Sequence, residues 1–185
     1  MYELRILEAE HSCHTEQVAR LLRDYLLWLR RQFAHAPDFV DAAIDPGEWE
    51  SELADLKGHF GAPHGAILLA KYAGTPAGCV TMRGIGESTC EMRSLFVRPA
   101  YQGHGIAKCL LVHLCALAVE RGYKRILVPA GPKHRAPQCL YRELGFVPVG
   151  NCADSRFADD VLVFEAQTAA VAALDCMTKR VPVAA

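Results

Sequence analysis

TCEMRSLFVRPAYQGHGIAKCLLVHLCALAVERG, residues 89–122, changes character twice within one unit. Its first third alternates as a strand does and is stopped by Pro99; from Ile106 to Arg121, Leu110, Leu111, Leu114, Leu117 and Ala118 recur at helical steps before Gly122 ends the run. Between them lies a turn with two glycines. A Walker-type loop requires a Gly-Lys-Ser/Thr that this chain lacks, and a dinucleotide fingerprint requires a third glycine where Lys108 stands. What remains is Gln102-Gly103-His104-Gly105-Ile106-Ala107, Q-x-x-G-x-A, directly before an amphipathic helix. Small residues at 103, 105 and 107 let a ligand approach the main chain, and the free N–H groups of a helix start favour an anion. Residue physics alone points to a phosphate or diphosphate, with a plain corner turned by glycine as the alternative.

Working outward, residues 2–9 form an opening strand and residues 15–33 a helix, with Val18, Leu21, Leu22, Tyr25, Leu29 and Phe33 on one stripe and Ser12 or Thr15 as N-cap. Trp28 falls off that stripe, so it faces a neighbour or a ligand. An acidic loop leads to Asp45-Pro46 and one helix over EWESELADLKGHF. AILLAKYA and AGCVTMRGI then pair as a hairpin about Gly74-Thr75-Pro76, and the strand of residues 89–97 follows. Downstream come the strand RILVPAG, a short helix PQCLYREL with Pro137 in its first turn, and the strands FVPVG and VLVFEA. Strands alternating with helices give an α/β or α+β layer structure, with one domain over residues 1–166 and an Ala-rich tail at 167–185, a weak helix or disordered.

Composition narrows the function classes. The 185 residues carry a net charge of −1 with 51% hydrophobic and 22% charged side chains, so there is no global pull toward nucleic acid or membrane. The N-terminus has no signal-peptide pattern, and the eight cysteines (13, 79, 90, 109, 115, 139, 152 and 176) include no C-x-x-C pair. Neither a metal nor a disulfide framework is expected, and a reducing cytoplasm is. Charge is unevenly spread. Residues 98–142 hold Arg98, Lys108, Arg121, Lys124, Arg125, Lys133, Arg135 and Arg142 against Glu120 alone, which suits an anionic ligand. Residues 34–56 hold Asp38, Asp41, Asp45, Glu48, Glu50, Glu52 and Asp55 with no Lys or Arg, a solvated face or a site for a cation.

With L-F-V-R-P upstream of the glycine turn and Leu140-Tyr141-Arg142-Glu143-Leu144-Gly145-Phe146 downstream, the chain resembles the GNAT superfamily of acetyl-CoA-dependent N-acetyltransferases. That resemblance covers residues 77–166 well. It implies a mixed, mostly antiparallel sheet of about seven strands flanked by about four helices and splayed between the fourth and fifth strands. It also implies that Gln102, Gly103, His104, Gly105, Ile106, Ala107 and Lys108 hold the coenzyme A diphosphate, and that Leu95, Phe96 and Val97 offer an open strand edge to the pantetheine arm. By the same resemblance Tyr141 is the acid that protonates the leaving thiolate, its alternative being a packed anchor for the helix.

An alkyl amine with a pKa of about 10.4 must lose a proton before it attacks a thioester. Glu91, eleven residues before Gln102, stands where histone-acetylating members carry their base; its alternative is an ion pair with Arg93 on the same strand face. His134 stands where many members have asparagine and is an alternative base, while Cys139 as a nucleophile gives way to direct transfer. The expected acceptor is a primary amine of a small molecule or peptide, cationic if the acid-rich loop lines its site. No nucleic-acid or membrane partner is expected, and the sheet edge leaves a homodimer open. A non-catalytic acyl-CoA-binding regulatory module is the alternative function.

Overall fold

A computed structural model describes residues 3–35, 40, 44–131, 135–151 and 162–176. The elements run β1 (Leu4–Glu8), α1 (Ser12–Gln32), α2 (Pro46–Ala54), α3 (Leu56–Phe60), β2 (Gly65–Tyr72), β3 (Thr75–Gly84) and β4 (Thr89–Val97). After a 3₁₀ turn at Pro99–Tyr101 come α4 (Ile106–Glu120), β5 (Arg125–Ala130), α5 (Arg135–Glu143), β6 (Val147–Asn151), β7 (Leu162–Gln167) and α6 (Thr168–Ala172). One seven-stranded sheet takes the order β1-β2-β3-β4-β5-β7-β6. All its pairs are antiparallel except β4 with β5.

Alternation along β2 explains how the sheet is covered on both faces. Ala66, Leu68 and Ala70 pack with Leu110, Leu111 and Leu114 of α4, whereas Ile67 and Leu69 pack with Val18, Leu21 and Leu22 of α1 and with Trp49, Leu53 and Phe60 of α2 and α3. Arg98 donates to Asp24 at 2.7 Å, fastening α1 to the end of β4.

Three local expectations change, and at the start of the tail the helical reading holds over Thr168–Ala172. The N-cap of α1 is His11, without a side-chain cap, and not Ser12 or Thr15. The hairpin turns at Ala73 (φ 50°) and Gly74 (φ 79°), one residue earlier than expected, because two consecutive left-handed residues make the tight turn whose twist suits adjoining strands. The single helix expected after Pro46 is two: Asp55 (φ −138°) breaks it and its carboxylate accepts from Gly58 N–H at 2.9 Å. Beyond Gln167 the tail opens with α6, whose Val171 is buried against α4 and whose Thr168 hydroxyl donates to the Tyr123 carbonyl at 2.7 Å. The described helices therefore number six rather than about four. Replacing Asp55 with alanine removes the cap of α3 and is expected to cost about 1 kcal/mol in urea unfolding, with no change in ligand binding.

Candidate active site

β4 and β5 pair in parallel only from Thr89–Arg125 to Glu91–Leu127, and then part. β5 goes on to Ala130 alongside β7, while β4 goes on to Val97 alongside β3. The notch between them opens into a cavity of about 840 Å³. Arg98 N–H donates to the Ala77 carbonyl on β3, so by strand alternation the main-chain groups of Val97 and Leu95 face the notch. Phe96 turns its main chain to β3 and contributes its ring, which lies 5.4 Å from that of Tyr25.

The turn after β4 is built to leave donors free. Gln102 Nε2 donates to the Val97 carbonyl at 3.0 Å, stapling the turn to the strand end. Gly103 (φ 79°) and Gly105 (φ 75°) are left-handed, and a Cβ added at either would meet nothing within 4 Å, so backbone conformation and not space demands glycine there. Gly105 is the N-cap of α4, with no capping side chain and no acid in the first turn. The first N–H groups of a fifteen-residue helix are thus uncapped at the cavity wall, which Gly103, Gly105, Ile106, Ala107 and Lys108 line. His104 is turned away: its Nδ1 lies 2.9 Å from the Gln102 carbonyl and its ring meets Tyr72 edge-on at 5.1 Å, so it stiffens the turn.

On the opposite wall, α5 presents Tyr141. Gly145 (φ 87°) ends that helix, and Phe146 N–H donates back to the Tyr141 carbonyl at 2.9 Å, which accounts for the spacing in L-Y-R-E-L-G-F. The Tyr141 ring packs 5.8 Å from Phe146 and 5.7 Å from Phe164, and burial holds its phenol well above the ordinary tyrosine range. Tyr25 and Trp28 of α1, their rings 6.4 Å apart, complete the wall beside Phe96, and burial pushes the Tyr25 phenol up to about 12.

A chain of alternating charge meets the cavity wall at Arg93. Glu91 accepts from Arg83 at 3.1 Å, Arg83 lies 3.8 Å from Glu48, and Arg93 donates to Glu48 at 2.9 Å and to the buried Glu52 at 3.0 Å. Burial raises the Glu52 carboxyl, with Arg93 pulling the other way. The partner of Glu91 is therefore Arg83, across the β3–β4 pair, and not Arg93, whose guanidinium lines the cavity.

A sequence profile of the acetyltransferase (GNAT) family matches residues 10–146. The chain belongs to that family. An uncharacterized N-acetyltransferase of Schizosaccharomyces pombe is 30% identical over 99 residues, covering 52% of this chain and 61% of that protein. N-acetylaspartate synthetase of Danio rerio is 26% identical over 118 residues, covering 63% and 40%. Among solved structures, a GNAT acetyltransferase of Staphylococcus aureus superposes with a TM-score of 0.70 at 16% identity, over 90% of this chain and 99% of that one. PaiA N-acetyltransferase of Thermoplasma acidophilum, in complex with coenzyme A, gives 0.65 at 16% over the same shares. At such identities these likenesses show the GNAT fold and no more.

Within this GNAT scaffold, Leu95, Phe96, Val97, Gln102, Gly103, Gly105, Ile106, Ala107, Lys108 and Tyr141 converge on the one cavity. Glu91 and His104 do not line it. Tyr25 was hidden in the sequence by its place on the core stripe of α1, where its polar tip in an aliphatic run was the available signal, and Arg93 by its neighbour Glu91. Of the acid-rich stretch, Asp45 accepts from Glu48 N–H, Asp55 caps α3, and Glu48 and Glu52 are paired with arginine, so these four acids are engaged within the fold. Asp38, Asp41, Lys133 and His134 lie outside the described residues. No described helix is long and apolar enough to cross a membrane, and no three described His, Cys, Asp or Glu side chains group as metal ligands.

Proposed function

We propose that the chain is an acetyl-CoA-dependent N-acetyltransferase that moves the acetyl group to a primary amine of a small molecule or peptide, by direct attack through a tetrahedral intermediate. The observation that carries this reading is the meeting, in one cavity, of an open β4 edge and the uncapped start of α4. The donor's diphosphate suits the N–H groups at the start of α4, and its arm suits the outward main-chain groups of Leu95 and Val97. Lys108 and Arg135 are wall cations suited to its phosphates; Arg142 is stacked over Phe164 at 5.2 Å.

In the reaction, a main-chain N–H of the 95–97 edge stabilises the oxyanion, a contribution of about 3 kcal/mol for one such donor. Tyr141 protonates the departing thiolate. The amine's proton leaves through water toward Glu91, whose ion pair with Arg83 holds it back from the wall. Tyr25, Trp28 and Phe96 offer the acceptor an aromatic wall, so its body is apolar next to the reacting amine.

Acetyl-CoA is expected to protect the protein against thermal unfolding and to release thiol with at least one member of a panel of amino acids, aminoglycosides, polyamines and peptides. No stabilisation together with no release across the panel would sink the proposal. Glu91→Gln is expected to lower kcat/KM for the acceptor about tenfold and to leave the KM for acetyl-CoA unchanged, since a relay through water weakens but does not confine base catalysis to one carboxylate.

A further inference from the structure

Away from the cavity, the outer side of α4 carries a cluster that the acetyl-transfer reading does not use. Cys109, in the first turn of α4, directs its thiol onto the main chain of the C-terminal segment and donates to the Cys176 carbonyl at 2.8 Å. The two cysteines meet there, although 67 residues separate them along the chain. His113, one turn further along α4, places Nδ1 2.9 Å from the Cys109 carbonyl. A carbonyl only accepts, so Nδ1 carries the hydrogen, and that same N–H lies 3.6 Å from Cys176 Sγ. Cys176 Sγ therefore lies beside an N–H donor, next to the place where the Cys109 thiol meets the same residue.

We propose that Cys109 and Cys176 form a thiol–disulfide exchange site, oxidised by small-molecule disulfides, that bonds the C-terminal segment to the helix carrying the donor-binding N–H groups.

The two cysteines have unequal parts. Cys109 is buried, and burial pushes its thiol up to about 12, which makes it a poor first attacker. Cys176 is half-buried and faces His113, so it meets the oxidant. Its thiolate attacks one sulfur of the small disulfide, forming a mixed disulfide and expelling one small thiolate. Cys109 then gives up its proton and attacks the Cys176 sulfur, which breaks the mixed disulfide and expels the second small thiol. In balance, two protein thiols become one disulfide, one small disulfide becomes two thiols, and the two protons end on the released thiols. A bond closing so long a loop restrains the unfolded chain strongly. It also anchors the residue next to Lys108, linking the redox state to the rigidity of the first turn of α4. The site stands independently of the acetyl-transfer reading.

The test treats the reduced full-length chain with oxidised glutathione and maps the products by peptide mass spectrometry. Cys13 and Cys139, both exposed, serve as internal references that take glutathione and keep it. Expected is a Cys109–Cys176 linked peptide with no glutathione retained on Cys176, and a melting temperature several degrees above the reduced form. Cys109→Ser and Cys109→Ala, each checked for native melting, are expected to trap glutathione on Cys176, and His113→Ala to slow that capture several-fold. Full modification of Cys13 and Cys139 with no Cys109–Cys176 link overturns the proposal, as does glutathione stably retained on Cys176 in the unaltered chain.

Discussion

Replacing Tyr141 with phenylalanine is expected to lower kcat by about 10²- to 10³-fold, with the KM for acetyl-CoA changed by less than about threefold. The ring is held by Phe146 and Phe164 and is 4% exposed, so phenylalanine occupies the same space and only the hydroxyl is lost. A thiolate then departs without a proton donor, a deficit felt only as the carbon–sulfur bond breaks, and so in kcat rather than in binding. Because burial raises the phenol, it stays protonated through the neutral and mildly alkaline range, and kcat should show no fall from its ionisation below pH 9 or so. Replacing the thioester with one whose thiol is more acidic should shrink the loss, since a better leaving group needs less help. Equal loss for both donors would make Tyr141 a packing residue. The same substitution at Tyr25, on the acceptor wall, is expected in acceptor KM instead.

What could be read from residue patterns follows from how local the governing physics is. Residues 89–122 were legible because a strand, two glycines and a helix impose their own periodicity and punctuation, and β4 and α4 begin where those signals place them. Gln102 and the glycines could be assigned to an anion for the same reason. Their geometry depends on φ and on helix-start donors, both properties of short sequence. Tyr141 was reached only through the resemblance of L-Y-R-E-L-G-F to a family motif, a spacing that the helix end at Gly145 accounts for. The division of α2 from α3 was obscure because Asp55 serves two incompatible purposes, ending one helix and capping the next, within a run whose composition reads as continuous. Glu91 illustrates the other limit. Its neighbours on the strand suggested Arg93, but register places Arg83 of β3 opposite it, and Arg93 reaches across to α2. Which cation meets which carboxylate is a question of register and of helix approach, neither of which leaves a mark on the strand itself. Tyr25 and Cys176 belong to the same class: each gains its role only when a distant element packs beside it.

Gly105→Val is expected to raise the Kd for acetyl-CoA about 10²-fold. A β-branched residue at φ 75° is strained, and relaxing φ to negative values swings the N–H groups that start α4 away from the cavity. Two charge-assisted hydrogen bonds to a diphosphate, at about 1.5 kcal/mol each, correspond to that factor. A Cβ at Gly105 meets no protein atom within 4 Å, so the strain of the substitution comes from the backbone conformation and not from crowding by the fold. Gly122 supplies a matched control at the other end of the same helix: φ is 84° and the space is equally open. Gly122→Val should therefore bring a similar loss of thermal stability with Kd unchanged, because the C-terminal end of α4 offers carbonyls and no donors. If both variants weaken coenzyme binding alike, the affinity lost at Gly105 reflects general destabilisation of α4. Loss confined to Gly105→Val assigns the diphosphate to the uncapped N–H groups of that turn.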